Sequence, residues 1–235
     1  MNRDFSFLQI PQQQLTAWGL KPAEKELNSP ARFRQSLQEL RAAQTLVPPL
    51  FFSGPHENPD FTQGYDPHRL MAERFSWGRY DEDRRGMYTS ALFQGSGEVR
   101  SLHVGVDLGA PPGTPIFSPL DAKIWGIADR SELGDYGGVV VLESQVAGER
   151  IWMLMGHLSR CRAVKTGDQI VGGQLIGWLG ERHENGGWNA HLHFQISRLE
   201  PLDVDLPGAV FPRDRDVALA VFPDPEPWLE RVRCF

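Results

Sequence analysis

Short apolar runs separated by glycine and proline constrain the fold of this chain more than any other feature. From about residue 98 onward these runs recur at regular spacing, for example at 123–127, 138–142, 151–155 and 175–179. Runs of this length, rich in β-branched and aromatic residues and bounded by turn residues, are typical of strands. The pattern predicts a mainly β fold, an open barrel or sandwich, over residues 98–200.

The regions on either side of this β-domain differ from it. Residues 1–97 are predicted to be an N-terminal extension, partly helical, that is expected to cover a cleft of the β-domain. Within it, apolar residues at helical spacing predict a helix beginning at Pro30, with Ser29 as its N-terminal cap. Residues 201–235, rich in proline and aspartate, are expected to pack on the β-domain as a tail.

Two further segments of the extension allow a prediction. Residues 67–77 have the composition of a second short helix. Residues 78–89 contain the charged run Asp81-Glu82-Asp83-Arg84-Arg85. Because a run of charged residues is usually a solvated face, this segment is predicted to lie at the surface.

Charge and composition exclude several classes of function. The chain has 30 acidic residues against 24 Lys and Arg, a net charge of −6, whereas nucleic-acid binding needs a basic surface. No apolar run approaches the length of a membrane span. The start of the chain lacks the apolar core of a secretory signal, which favours a cytoplasmic protein over a periplasmic or exported one. Of the two cysteines, Cys161 is expected in the core, and the oligomeric state stays open.

Four of the seven histidines fall in patterned segments. His103 and Asp107 are four residues apart in a segment with strand character, and His191 and His193 are two apart in another. Because residues i, i+2 and i+4 of a strand share one face, each pair is predicted to point in one direction. The other patterned histidine, His157, directly follows an apolar strand.

Gly105 lies midway between His103 and Asp107. Having no side chain, it is predicted to leave open the space over the face that those two residues share. Val104 and Val106 are expected together on the opposite face.

Histidine nitrogen and carboxylate oxygen are preferred ligands of zinc, and a catalytic zinc keeps one position for water. His103, Asp107 and one histidine of the pair His191 and His193 would supply three ligands. Two histidines then remain for general acid–base work on a zinc-bound water.

Together these segments resemble the lysostaphin/LytM-like zinc metallopeptidases. The resemblance covers about residues 99–197 and rests on an HxxxD motif, a Gly-His-Leu-Ser segment and an Ala-His-Leu-His-Phe segment. Similar segments also occur at 110–116, 118–124, 135–141 and 167–177. The resemblance implies the open β-barrel or sandwich of that family.

The resemblance also implies a set of site residues. One zinc per chain would be bound by His103, Asp107 and His193, and His157 and His191 would assist catalysis. The implied reaction is hydrolysis of a peptide bond, with peptidoglycan-type peptides as the expected substrates.

The loop 184–189 resembles a subgroup of intracellular relatives with an ENGGW-x-x-HLHF motif, some of them fused to aminotransferase or phosphotransferase modules. Asn185 and Trp188 of this loop either line the site or belong to a tight turn at Gly186 and Gly187. His183 is expected at the rim of the site, whereas the remaining histidines, His56 and His68, are expected to be bystanders.

Two alternatives from other functional classes remain open. One is a zinc-free relative that binds a partner or activates another enzyme, although all five expected positions are filled here. The other is a sugar-transport phosphocarrier of the glucose type, which carries a similar His-x-Gly-x-Asp run but no expected HxH pair. Zinc content would separate the metallopeptidase from the phosphocarrier.

Overall fold

The structure is a computed structural model that describes residues 10–24, 27–43, 46–51, 57–64, 75–95 and 97–229. In these residues the strands are β1 (Ser76–Gly78), β2 (Glu82–Asp83), β3 (Leu102–His103), β4 (Val106–Gly109), β5 (Pro115–Phe117), β6 (Ala122–Arg130), β7 (Gly137–Val146), β8 (Glu149–Arg162), β9 (Gln169–Ile170), β10 (Leu175–Leu179), β11 (His191–Ser197) and β12 (Ala209–Val210). The α-helices are α1 (Gln12–Ala17), α2 (Pro30–Ala42) and α3 (Arg215–Val221).

Nine of these strands form one antiparallel sheet. Seven of them follow the order β1-β4-β11-β8-β7-β6-β9, and β10 joins β8 to β5. In the part of the chain that is described, β1 and β9 do not pair with each other, so the sheet stays open. A second, three-stranded sheet has the order β12-β3-β2. The prediction of a mainly β fold is confirmed.

Apolar side chains cover both faces of the large sheet. In β7, Val140 and Leu142 belong to one buried cluster, and Val139 and Val141 belong to another. Since neighbouring strand residues point to opposite faces, a continuous apolar run supplies apolar side chains to both clusters. This explains why the central strands read as uninterrupted apolar runs rather than as alternating ones.

Helices complete the two clusters. Phe33 and Leu37 of α2 join the first cluster, and residues of α1 and α3 join the second. Burial of each such large apolar side chain stabilises the fold by about 1.5–3 kcal/mol. The predicted start of α2 is confirmed, because the Ser29 side chain accepts a hydrogen bond from the backbone N–H of Arg32 at 3.3 Å.

The region before residue 98 also supplies strands. β1 pairs with β4 and extends the large sheet, and β2 pairs with β3 in the small one. Of the predicted helix at 67–77, residues 67–74 lie outside the described part of the chain, and residues 76 and 77 belong to β1. No helix in the described ranges is long and apolar enough to cross a membrane.

Candidate metal centre

His103 and Asp107 lie on two different strands, at the point where the chain passes from the small sheet to the large one. His103 ends β3, and Asp107 is the second residue of β4. The prediction of one continuous strand is therefore wrong at its centre. As a consequence, Val104 and Val106 pack in different apolar clusters instead of sharing a face.

The passage between the sheets depends on Gly105. A Cβ atom at this position would lie 2.6 Å from Cε1 of His193. Any side chain here would displace His193. The space that Gly105 was expected to leave open is occupied by the His193 ring.

β11 brings His193 next to Asp107. The register of β4 and β11 pairs these two residues directly. Leu192 and Phe194 point into the first apolar cluster, so the odd-numbered residues of the strand face the other way, as predicted from the HxH spacing.

Three donor atoms converge at this point. His193 Nδ1 lies 3.0 Å from Asp107 Oδ1 and 3.1 Å from His103 Nε2, and His103 Nε2 lies 3.3 Å from Asp107 Oδ1. A tetrahedral zinc with ligands at about 2.0–2.2 Å separates its donor atoms by about 3.3–3.6 Å. The number and type of these donors therefore fit a zinc ion, and an outward shift of about 0.3 Å would bring their spacing to the tetrahedral value.

Hydrogen bonds fix which ring nitrogen of His103 and of His193 is free. His103 donates from Nδ1 to the carbonyl oxygen of Arg79 at 2.9 Å. His193 donates from Nε2 to Gln195 Oε1 at 3.0 Å, and the Gln195 amide is itself oriented by the carbonyl oxygen of Pro207. Each remaining nitrogen keeps its lone pair for a metal, the usual arrangement of metal-binding histidines.

The charge states also suit a metal. Burial lowers the pKa of His103 to about 4, and the charge of Arg84 acts in the same direction, so the imidazole is neutral at pH 7. Burial alone would raise the pKa of Asp107, but the buried guanidinium of Arg84, which donates to Oδ2, holds it well below its usual value. The site offers neutral imidazoles and an ionised carboxylate.

His157 and His191 lie beside these three residues, with ring centroids 4.2 Å apart. His157 donates from Nδ1 to the carbonyl oxygen of Asn185 at 2.8 Å, and His191 donates from Nδ1 to that of Asn189 at 2.7 Å. Burial lowers the pKa of both histidines. Each therefore keeps an unprotonated Nε2 at neutral pH, and His191 Nε2 lies 3.7 Å from Asp107 Oδ1.

The backbone of His157 has a φ of 63°, a left-handed conformation that is uncommon for any residue other than glycine. The surrounding contacts hold it there, because the His157 N–H donates to the carbonyl oxygen of Tyr136 at 2.9 Å. Conformations of this kind concentrate at functional sites.

The charged run at 81–85 contains a residue of the site that sequence reasoning missed. Arg84 is fully buried, and its guanidinium donates to Asp107 Oδ2 at 2.5 Å and to Glu82 Oε2 at 2.9 Å. The prediction of a solvated surface is wrong for Glu82 and Arg84, which are paired with each other. It holds for Arg85, whose side chain is 70% exposed. No local pattern in the sequence distinguishes Arg84 from Arg85.

A cavity of about 120 Å³ opens over these residues. Asp107, His157, His191 and His193 line it. Other parts of its lining are aromatic or acidic, and they include Tyr88, Phe93, Tyr136, Trp188, Asp135 and Asp205. A concave pocket of this kind, with convergent polar groups, is the usual form of a small-molecule or substrate site.

The loop 184–189 combines the two roles that the sequence left open. Gly186 and Gly187 have φ values of 85° and 86°, so they form a turn that side chains would strain. Asn185 is fully buried and bonds the backbone of Trp188, whereas the Trp188 side chain lines the cavity. His183 is exposed, with its side chain 74% accessible.

The structure tests the expectation for Cys161 but not those for His56 and His68. His56 and His68 lie outside the described residues. Cys161 is exposed, so its expected burial in the core is wrong. It follows the apolar part of β8, where the strand runs out to the surface.

The profile of peptidase family M23 matches residues 101–205. These residues form a peptidase M23 domain. The match includes His103, Asp107, His157, His191 and His193, and it begins after Arg84. The M23 domain thus contains both groups of histidines, while the arginine that contacts Asp107 precedes it.

Several curated proteins are similar over this domain. The chain is 32% identical to the peptidoglycan DD-endopeptidase ShyC of Vibrio cholerae over 118 residues, which are 48% of this chain and 25% of that protein. It is 37% identical to the glycyl-glycine endopeptidase ALE-1 of Staphylococcus capitis over 99 residues, or 40% of this chain and 24% of that protein. The chain thus spans about a quarter of the length of these relatives.

One solved structure is similar to part of this chain. The catalytic domain of lysostaphin from Staphylococcus simulans aligns with a TM-score of 0.41 and 23% sequence identity, over 61% of this chain and 92% of that domain.

Proposed function

We propose that this chain is a zinc metallopeptidase that binds one zinc ion through His103, Asp107 and His193. The convergence of their three donor atoms, with separations of 3.0 to 3.3 Å, carries the proposal. The match to peptidase family M23 over residues 101–205 supports it.

When bound, zinc would lower the pKa of a coordinated water and polarise the carbonyl of a peptide bond. The chain itself would supply the proton transfers. His157 and His191 both line the cavity, and the carbonyl oxygens of Asn185 and Asn189 hold each in the tautomer with an unprotonated Nε2.

One of these histidines would accept the proton of the attacking water at Nε2 and pass it to the departing amine. A protonated Nε2 can also donate a hydrogen bond to the oxygen that becomes negatively charged, an interaction that stabilises the transition state by a few kcal/mol. Removing either histidine should therefore slow turnover without removing the metal.

The substrate class is proposed to be peptidoglycan-type peptides. The names of the similar proteins support this, because they describe a peptidoglycan DD-endopeptidase and a glycyl-glycine endopeptidase. The cavity offers aromatic surface at Tyr88, Phe93 and Trp188 for the side chains of such a peptide.

The test combines metal analysis with hydrolysis. Purified wild-type protein should contain about one zinc per chain and His193→Ala none, while His183→Ala, which changes an exposed histidine, should match the wild type. Only the wild type and His183→Ala should release new amino groups from peptidoglycan fragments. Absence of zinc from the wild type, even after zinc is added back, would refute the proposal. Zinc binding without hydrolysis of any peptide would leave a zinc-binding protein that is not a peptidase.

A further inference from the structure

The two carboxylate oxygens of Asp107 have different partners. Oδ1 faces the ligand nitrogens of His103 and His193 at 3.3 and 3.0 Å. Oδ2 accepts a hydrogen bond from the guanidinium of Arg84 at 2.5 Å. One oxygen therefore belongs to the candidate metal site and the other to Arg84.

Arg84 is itself held from several sides. Its Nε donates to Glu82 Oε2 at 2.9 Å, one terminal nitrogen to the Tyr88 hydroxyl at 3.3 Å, and the other to the carbonyl oxygen of Arg79 at 3.2 Å. Its guanidinium carbon also lies 4.7 Å from the centre of the Phe61 ring. Because the guanidinium is planar and its donors have a fixed geometry, these contacts determine where it meets Asp107.

Glu82 balances the charge of Arg84. It is buried, and its second oxygen accepts hydrogen bonds from Arg79 Nε at 3.1 Å and from the backbone N–H of Phe61 at 3.3 Å. A buried arginine beside a metal ligand would otherwise repel a cation. Because the Glu82 carboxylate offsets the charge of Arg84, the negative charge of Asp107 remains available to attract a metal cation.

We propose that Arg84 is a positioning residue that limits Asp107 to a single metal–oxygen bond. A carboxylate can bind a metal through one oxygen or through both. Because Oδ2 is hydrogen-bonded to Arg84, only Oδ1 is placed to bind the metal. Asp107, His103 and His193 then fill three tetrahedral positions and leave the fourth for water. This inference rests on the proposed zinc site, and it assigns a role to a residue that precedes the M23 match.

The first test needs no variant. Cobalt(II) is added in place of zinc to the full wild-type chain, and the visible absorption spectrum is recorded. Six-coordinate cobalt absorbs weakly because an octahedral site has a centre of symmetry, five-coordinate cobalt absorbs with intermediate strength, and tetrahedral four-coordinate cobalt absorbs most strongly. An intense band is expected, and a weak band typical of higher coordination would overturn the proposal.

Two variants then separate geometry from charge. Arg84→Lys keeps the positive charge but loses the planar donor pair. The double variant Glu82→Gln with Arg84→Met removes one charge of each sign, so the net charge stays the same and Asp107 is the one buried group in this cluster that loses a charged partner. For each folded variant, verified by circular dichroism, we expect a weaker cobalt band and a zinc Kd raised about 10–100-fold.

Two controls complete the comparison. Arg85→Lys changes the exposed neighbour and should reproduce the wild-type spectrum and zinc affinity. Glu82→Gln alone leaves Arg84 in contact with Asp107, so the cobalt band should stay intense while zinc affinity falls through the unbalanced positive charge.

The outcomes distinguish this inference from the proposed function. A wild-type protein that binds neither zinc nor cobalt would refute both. A wild-type protein that binds cobalt with an intense band, which persists in Arg84→Lys or in the double variant, would refute the role of Arg84 and leave the zinc peptidase standing. If neither variant folds, a weak wild-type cobalt band would still refute the role of Arg84.

Discussion

Asp107 and Asp205 line the same cavity, but their pKa values are displaced in opposite directions. The pKa of Asp107 is well below its usual value, because the charge of Arg84 and its hydrogen bond to Oδ2 outweigh the effect of burial. Burial raises the pKa of Asp205 to about 6, and Arg130 compensates only in part.

The difference lies in the partners rather than in the residue type. Asp107 accepts hydrogen bonds from a buried guanidinium, whereas Arg130 directs its hydrogen bond to Asp203. Asp135 adds a second negative charge near Asp205. The Asp107 carboxylate is thus ionised at neutral pH and can bind a cation. Ionisation of Asp205, in contrast, lowers the stability of the fold.

The largest expected contrast is in metal binding. Asp107→Asn should weaken zinc binding at least about 100-fold, since losing a ligand costs more than losing a hydrogen bond to one. Asp205→Asn should retain about one zinc per chain. The zinc content of the two variants after dialysis against a weak chelator measures this contrast. Equal losses of zinc would show that the two carboxylates do not differ in metal binding.

A second contrast concerns the histidines. His157→Ala and His191→Ala should keep most of the zinc and lower kcat by about 10²–10⁴-fold, because they remove groups that transfer protons. Zinc content and steady-state kinetics on the same preparations test this. If either variant lost all of its metal, the division between ligands and proton-transfer residues would be wrong.

A smaller effect is expected at the glycine that separates the ligands. Gly105→Ala should displace His193 and weaken zinc binding by about 10–100-fold, since its Cβ would lie 2.6 Å from the imidazole. Gly172→Ala is the matched control, because its Cβ would lie at an ordinary 3.6 Å from the nearest atom. Competition with a chromophoric chelator gives both affinities. Wild-type affinity in Gly105→Ala would show that His193 can shift without losing the metal.

A further effect, on stability rather than on metal binding, is the pH dependence that Asp205 adds. Its folded pKa of about 6 exceeds the usual 3.8, so the folded state binds more protons, and stability falls as pH rises from about 4 to 6. Asp205→Asn removes this loss. Its gain over the wild type should be near zero at pH 4 and grow to at most about 3 kcal/mol above pH 6.

Urea unfolding at several pH values in the presence of chelator measures this gain. A gain that did not change with pH would show that Asp205 is ionised in the folded state without penalty.

Local spacing was sufficient for part of this site. The alternation around Leu192 and Phe194 correctly placed His191 and His193 on the functional face of β11, because a strand has a period of two whatever its surroundings. The same rule failed between His103 and Asp107. There the chain changes sheets at Gly105, and a period of two holds only within one strand.

Arg84 was unpredictable for a related reason. A run of five charged residues is locally compatible with solvent at every position. Burial of Glu82 and Arg84 becomes favourable only when β2 pairs with β3 and brings them to Asp107, because buried charges are tolerated when they are paired.

The sequence by itself determined the mainly β fold, the helix that begins at Pro30 and the residue types of a metal site, since each depends on local periodicity, capping or the chemistry of single side chains. Only the tertiary structure decided that three donor atoms converge, which nitrogen of each histidine is free, and that Arg84 occupies one oxygen of Asp107. These features depend on contacts between residues far apart in the chain, such as the 86 positions between Asp107 and His193. Sequence spacing carries no information about such contacts until the strands have paired.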